Sequence, residues 1–248
     1  MQGIVIRNTG NSYVVRLEAG DEVSCKVKGN FRLKGIRTTN PVAVGDCVFV
    51  DFAEGGADTY YITKVAQRRN YIIRRASNLS KESHIIAANI DIAVLVATVS
   101  HPTTSTTFID RFLATAEAYG VTAALVFNKI DLLDEDWLEY LDAISYLYRS
   151  IGYKVLHCSA VHGDGLDVLR EYLQGKTALF AGNSGVGKTT LLNVLVPGID
   201  AKTAALSDAH DTGMHTTTFS EMYDLPGGGA IIDTPGVRGF GTIDMSKE

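Results

Sequence analysis

Cysteine is scarce and odd in number: Cys25, Cys47 and Cys158 lie scattered along the chain. That excludes a disulfide framework and a cysteine-based metal cluster, and points to reduced thiols. Long apolar runs are missing too. The longest, Ile92 to Ala97, falls far short of the ~20 residues that cross a bilayer. The opening residues, Met1-Gln2-Gly3-Ile4-Val5-Ile6-Arg7, lack the hydrophobic core of a signal peptide. A soluble cytoplasmic monomer with no membrane partner is therefore expected. Positive charge is not in excess: 23 Lys and Arg face 28 Asp and Glu, a formal net charge of −5. A uniformly basic nucleic-acid binder is thus disfavoured, while a local basic face stays open. Internal repeats and low-complexity tracts are absent.

What is present suffices for a real core. The chain has 248 residues, 46% of them hydrophobic and 21% charged, which is enough for two domains. Residues 1–67 read as a small all-β domain. Gly3 to Arg7, Ser12 to Leu17, Glu22 to Val27, Asp46 to Phe52 and Thr59 to Val65 alternate with turns rich in Gly, Asn and Asp. Five short strands fit an OB-type barrel, and an SH3-like barrel remains open. Within it, Lys26, Lys28, Arg32, Lys34 and Arg37 surround Phe31 without an intervening acid. Cations around an aromatic suit phosphate contact and base stacking, so these six are candidate RNA-binding residues. A solvated loop is the alternative.

Residues 68–89 form a linker whose periodicity is unclear; its arginines Arg68, Arg69, Arg74 and Arg75 face RNA or water. From residue 90 to 248 strands and helices alternate, the pattern of an α/β domain with a mainly parallel sheet. Strands are expected at 92–99, 123–127, 154–158, 177–181, 220–225 and 229–232, and helices at 108–119, 137–150 and 165–174, with another opening after Lys188.

Gly182-Asn183-Ser184-Gly185-Val186-Gly187-Lys188-Thr189 fits G-x-x-x-x-G-K-S/T between a strand and a helix. Such a loop aims successive backbone N–H groups at phosphate oxygens, at the positive end of a helix dipole. Lys188 reaches the β- and γ-phosphates, and Thr189, followed by Thr190, offers a hydroxyl to Mg²⁺. A glycine-rich turn that matches by chance is the alternative.

Asn128-Lys129-Ile130-Asp131 has the N-K-x-D pattern of guanine recognition. The Asp131 carboxylate can accept from both guanine N1–H and the exocyclic amine, a donor pair adenine lacks. Asn128 can reach N7 or tie the pocket to the phosphate loop, while the Lys129 stem lies along the base. Ser159-Ala160 matches the S-A element, whose backbone N–H meets guanine O6. Asp233-Thr234-Pro235-Gly236 matches D-x-x-G: Asp233 holds Mg²⁺ through water and the Gly236 N–H meets the γ-phosphate. Between the phosphate loop and D-x-x-G, Gly213 to Thr218 occupies the place of switch I, with Thr217 as a candidate Mg²⁺ ligand.

The order of these parts is unusual. N-K-x-D and S-A precede the phosphate loop, so the chain reads as a circularly permuted P-loop GTPase domain with a six-stranded sheet. Permutation behind a β barrel resembles the ribosome small-subunit-dependent GTPase A family (RsgA/YjeQ). The resemblance covers nearly the whole chain and includes Arg32 to Asp46, Ala87 to Asp91, Ile109-Asp110-Arg111, Gly182 to Thr190 and His215-Thr216-Thr217. It implies GTP/GDP and Mg²⁺ as ligands, an OB-fold on ribosomal RNA, and GTP hydrolysis during late small-subunit biogenesis. Two features depart from the family. Met214 replaces its usual basic residue, and the family's C-terminal zinc domain is not in this sequence, so zinc is expected only if the natural chain continues into one.

In Ras-like enzymes a glutamine after D-x-x-G orients the attacking water. Val237 stands there and can neither donate nor accept a hydrogen bond. His215, similar to the family's proposed catalytic histidine, is the candidate for that task, with Lys188 as the cation on the phosphates. An ordinary exposed histidine is the plain alternative. Two other readings compete: an RNA-binding protein with GTP as an affinity switch and incidental hydrolysis, and a P-loop ATPase, which N-K-x-D and Ala160 oppose.

Overall fold

The computed structural model describes residues 1–10, 12–27, 41–52, 59–75, 83–199 and 220–234, without the side chains of residues 74, 75, 83 and 84. Strands β1 (Gln2–Asn8), β2 (Tyr13–Leu17), β3 (Glu22–Val27), β4 (Cys47–Phe52) and β5 (Tyr60–Val65) make the barrel. Their inward positions alternate, so Val5, Val15, Cys25, Val48, Val50 and Ile62 fill the interior. The strand order β1-β2-β3-β5-β4 closes through β1–β4 pairing, with β3 parallel to β5. That Greek-key closure is of the OB type and decides between the two barrels left open by the sequence. Lys26 lies on β3, exposed on the side away from the buried Cys25. Lys28, Phe31, Arg32, Lys34 and Arg37 lie outside the described residues.

The segment read as a linker of unclear periodicity contains a hairpin, β6 (Tyr71–Arg75) and β7 (Ser83–Ala88). Its short, bulged strands carry no clean alternation, which is why periodicity did not show them. Ile72 and Ala87 enter the core of the α/β domain, and Tyr71 meets Tyr119 with ring centroids 5.6 Å apart. Arg68 faces neither RNA nor water. It clamps Asp46 through Nε and Nη2 at 2.6 Å each and donates to Pro41 O at 2.8 Å. Asp46 is fully buried and also accepts from the Ala43 N–H at 2.8 Å. Arg69 instead pairs with Asp91 at 2.7 Å on the surface. Removing one partner of a buried pair strands the other charge, at about 3–5 kcal/mol. Arg68→Ala should therefore lower unfolding stability by that amount in urea titration; a loss below about 1 kcal/mol would show that water reaches Asp46.

The α/β domain comprises β8 (Ile92–Ala97), α1 (Thr106–Ala118), β9 (Thr122–Phe127), α2 (Glu135–Ser150), β10 (Lys154–His157), α3 (Leu166–Leu173), β11 (Thr177–Ala181), α4 (Lys188–Leu195), β12 (Glu221–Asp224) and β13 (Ala230–Asp233). Every residue of β8 is buried, as a central strand covered on both faces requires. Ser105 caps α1 by accepting from the Phe108 N–H, and Asp134 caps α2 by accepting from the Trp137 N–H. Helices α1 and α2 cover one face through Ile109, Phe112, Leu141 and Tyr148. Helices α3 and α4 cover the other through Leu166, Leu169, Leu191 and Leu195.

The six strands run in the order β10-β9-β8-β11-β13-β12, all parallel except β12. From β8 the chain moves outward through β9 and β10; from β11 it crosses to β12 on the other side and returns through β13. The carboxyl ends of the neighbours β8 and β11 therefore open the crevice where ligands bind in such sheets. One feature had no signal in the sequence. Strand β12 pairs with β1 of the barrel, so both units share one eleven-stranded sheet.

Candidate nucleotide site

The phosphate loop leaves β11 beside β8 and enters α4. Gly182 has φ of 149°, and a β-carbon there would sit 2.2 Å from Val96 O. Gly187 has φ of 89°, and a β-carbon would sit 2.5 Å from Asn128 Nδ2. Both positions therefore need glycine on steric grounds. The Lys188 ammonium donates to Gly182 O at 2.7 Å and Asn183 O at 2.9 Å. Burial pushes its pKa down to about 8, with the Asp233 carboxylate pulling the other way. The cation thus sits largely desolvated against the loop it would share with phosphates. Thr189 and Thr190 follow in the first turn of α4, partly buried.

Asn128 joins three segments. It is 3% exposed at the end of β9, and Nδ2 donates to Val186 O of the phosphate loop at 2.9 Å. Its Oδ1 accepts from the Ala160 N–H at 3.1 Å and from the Cys158 thiol at 3.5 Å. Burial, and secondarily the Asp131 charge, push that thiol up to about 12, so it stays protonated and donates. Of the two tasks read for Asn128, tying the pocket to the phosphate loop is the one seen. The Ala160 N–H, assigned in sequence to the base, here braces Asn128.

Lys129 adopts left-handed φ of 64°, and its ammonium donates to His101 O at 3.0 Å. Burial lowers its pKa, with Asp131 opposing. Asp131 follows on a short 3₁₀ turn, Ile130–Leu132, and is partly exposed at the mouth. Ser159 is fully buried, and its Oγ accepts from the His162 N–H at 3.0 Å, which closes the S-A turn. Asp233 ends β13, 4% exposed and in register with Phe180 before the phosphate loop. His215, Thr217 and Gly236 lie outside the described residues.

Two features escaped sequence reasoning. The segment after β8 overhangs the phosphate loop: His101 O anchors Lys129, and a β-carbon on Gly185 would lie 3.5 Å from the Pro102 ring. Nothing in Ser100-His101-Pro102 signals this by residue type. Thr234, 2% exposed, donates from Oγ1 to Phe180 O at 3.1 Å and ties β13 to β11. Its place inside D-x-x-G was the available hint. Among the described residues no three His, Cys, Asp or Glu gather as a metal cluster. No described helix is long and apolar enough to cross a membrane.

Comparisons with known proteins agree with this geometry. The model described as the RsgA N-terminal domain matches residues 2–60, and that described as RsgA GTPase matches residues 65–243. A Bacteroides fragilis protein named small ribosomal subunit biogenesis GTPase RsgA is 59% identical over 248 residues, all of this chain and 79% of that one. A Porphyromonas gingivalis protein of the same name is 56% identical, again over the whole chain and 79% of the relative. The crystal structure of YjeQ from Thermotoga maritima superposes with a TM-score of 0.70 at 34% identity, covering 95% of this chain and 74% of that one. YloQ, described as a circularly permuted GTPase, gives 0.65 at 30% identity, with coverage of 97% and 72%. With a barrel, a permuted sheet and a phosphate loop all in place, the chain belongs to the RsgA GTPase family.

Proposed function

We propose that this protein hydrolyses GTP to GDP and phosphate while acting on the small ribosomal subunit during its late biogenesis. The observation that carries the reading is Asn128, whose one side chain fastens N-K-x-D, S-A and the phosphate loop into a single site. Within that site Asp131 reads the guanine donors, and the Lys129 stem lines the base. The Ala160 N–H reaches O6 as a second acceptor beside Asn128 Oδ1. Residues Gly182 to Thr190 hold the phosphates, with Lys188 as the partly buried cation.

Mg²⁺ fits the donor set: a hydroxyl at Thr189 and, through water, a carboxylate at Asp233, hard oxygen donors of the kind this ion takes while keeping several waters. When bound it offsets charge on the β- and γ-phosphate oxygens. Thr217 is the third candidate donor, and the Gly236 N–H completes the γ-phosphate contacts. Because Val237 cannot orient water, His215 does so from the switch I segment. Zinc is assigned to no residue of this chain.

The barrel, residues 1–67, contacts ribosomal RNA through Lys26, Lys28, Phe31, Arg32, Lys34 and Arg37. The exposed position of Lys26 on the outer face of β3 supports that use. Residues 68–89 connect it to the GTPase domain, 90–248, and their hairpin packs Ile72 and Ala87 into that domain's core. The protein works as a cytoplasmic monomer. GTP hydrolysis with and without purified small subunits tests the reading and separates it from a binding protein with incidental turnover.

A further inference from the structure

Arg7 stands in the barrel, near the end of β1, 214 positions before Glu221 in the chain. Its Nε donates to Glu221 Oε1 at 2.7 Å, and Nη2 closes on the same oxygen. The other carboxylate oxygen, Oε2, accepts from the Tyr223 hydroxyl at 3.0 Å. Arg7 is the register partner of Glu221 across the β1–β12 seam, and Glu221 is the partner of Asp233 across β12–β13.

Directly opposed residues share one face of a sheet, with Cβ atoms ~4.5–5.5 Å apart, and like charges so placed repel. Glu221 thus puts a second carboxylate beside Asp233, and Arg7 supplies the cation that offsets it. The same face carries Tyr223 and Ile231, which pack in the cluster that holds α4. The row therefore ends next to the helix that opens from the phosphate loop. A second ion pair, Arg16 with Asp224 at 2.8 Å, also crosses from barrel to β12. Asp224, however, opposes Ala230 at the far end of the hairpin and alternates onto the other face.

We propose that Arg7 is a positioning residue of the GTP site, contributed by the barrel. By compensating Glu221 it keeps the side that receives the γ-phosphate free of a second negative charge, and so favours GTP over GDP. The proposal rests on the reading of Asp233 as the carboxylate on the γ-phosphate side of a GTPase site. Without Arg7, the charge of Glu221 acts on the additional phosphate of GTP and has less to act on in GDP.

The test is equilibrium binding of a non-hydrolysable GTP analogue and of GDP, each with Mg²⁺. In Arg7→Ala the ratio of GTP to GDP affinity should fall about two- to fivefold, the scale of a partly solvated charge interaction. Adding Glu221→Gln removes the uncompensated charge at nearly the same shape and should restore the ratio. Arg16→Ala breaks the other seam pair and should leave the ratio unchanged. Equal loss of both nucleotides in Arg7→Ala, failure of the double variant to restore the ratio, or the same shift in Arg16→Ala would each overturn the proposal; Arg7 would then only fasten the seam. Wild-type chain that binds neither nucleotide would refute the GTPase reading itself.

Discussion

Asp131→Asn should turn the site from guanine toward xanthine. The carboxylate accepts from two guanine donors at once; an amide replaces one acceptor with a donor and meets the 2-oxo group of xanthine instead. A buried donor left unpaired costs about 2 kcal/mol, so GTP binding should weaken roughly thirtyfold while XTP binding strengthens. The local fold tolerates the exchange. The turn that carries Asp131 is held by backbone bonds, Ile130 N–H to Cys158 O at 3.3 Å and Leu132 N–H to Lys129 O at 3.1 Å, none of which uses the carboxylate. Competition between GTP and XTP for the variant reads the outcome. An unchanged preference for GTP would remove Asp131 from the base pocket.

His215→Ala and Lys188→Ala should fail in different ways. Lys188 sits against the phosphate loop with two carbonyl partners, so its loss removes a direct phosphate contact and damages binding. A hydrogen bond to a charged group contributes about 1.5–3 kcal/mol, which sets a loss of roughly ten- to hundredfold in GTP affinity. His215→Ala should keep the affinity and lower turnover by roughly ten- to thousandfold, the range of positioned proton-transfer or water-orienting groups. Single-turnover hydrolysis beside equilibrium binding separates the two. Equal loss of affinity in both variants would make His215 a ligand-binding residue and leave the water to another group.

Much of this was legible in the sequence because the signals are local. Buried runs such as Ile92 to Ala97 mark central strands, and G-x-x-x-x-G-K-T marks a phosphate loop by spacing alone. The six α/β strands and the five barrel strands therefore fell close to where they were expected. Pairings between distant segments left no such mark. Alternation makes β3 a strand, but cannot say that it lies parallel to β5, and so could not choose between barrel types. Neither the β1–β12 seam nor the Arg68–Asp46 pair follows from any periodicity, since each depends on where the chain returns. In the site, Asn128 meets Ala160 and the phosphate loop, yet the motif does not say that it spends both ends of its amide on protein. The overhang of His101 and Pro102 is a tertiary contact of the same kind.

The central claim is that GTP turnover here serves the small ribosomal subunit. Phosphate release from GTP should be measured with the protein alone, with purified small subunits, and with equal amounts of large subunits. Turnover should be slow alone, because Val237 replaces the water-orienting glutamine, and should rise by about tenfold or more with small subunits, as when a partner completes a GTPase site. Large subunits should leave it unchanged. Turnover that ignores small subunits while GTP still binds, or that rises equally with both, would contradict the account.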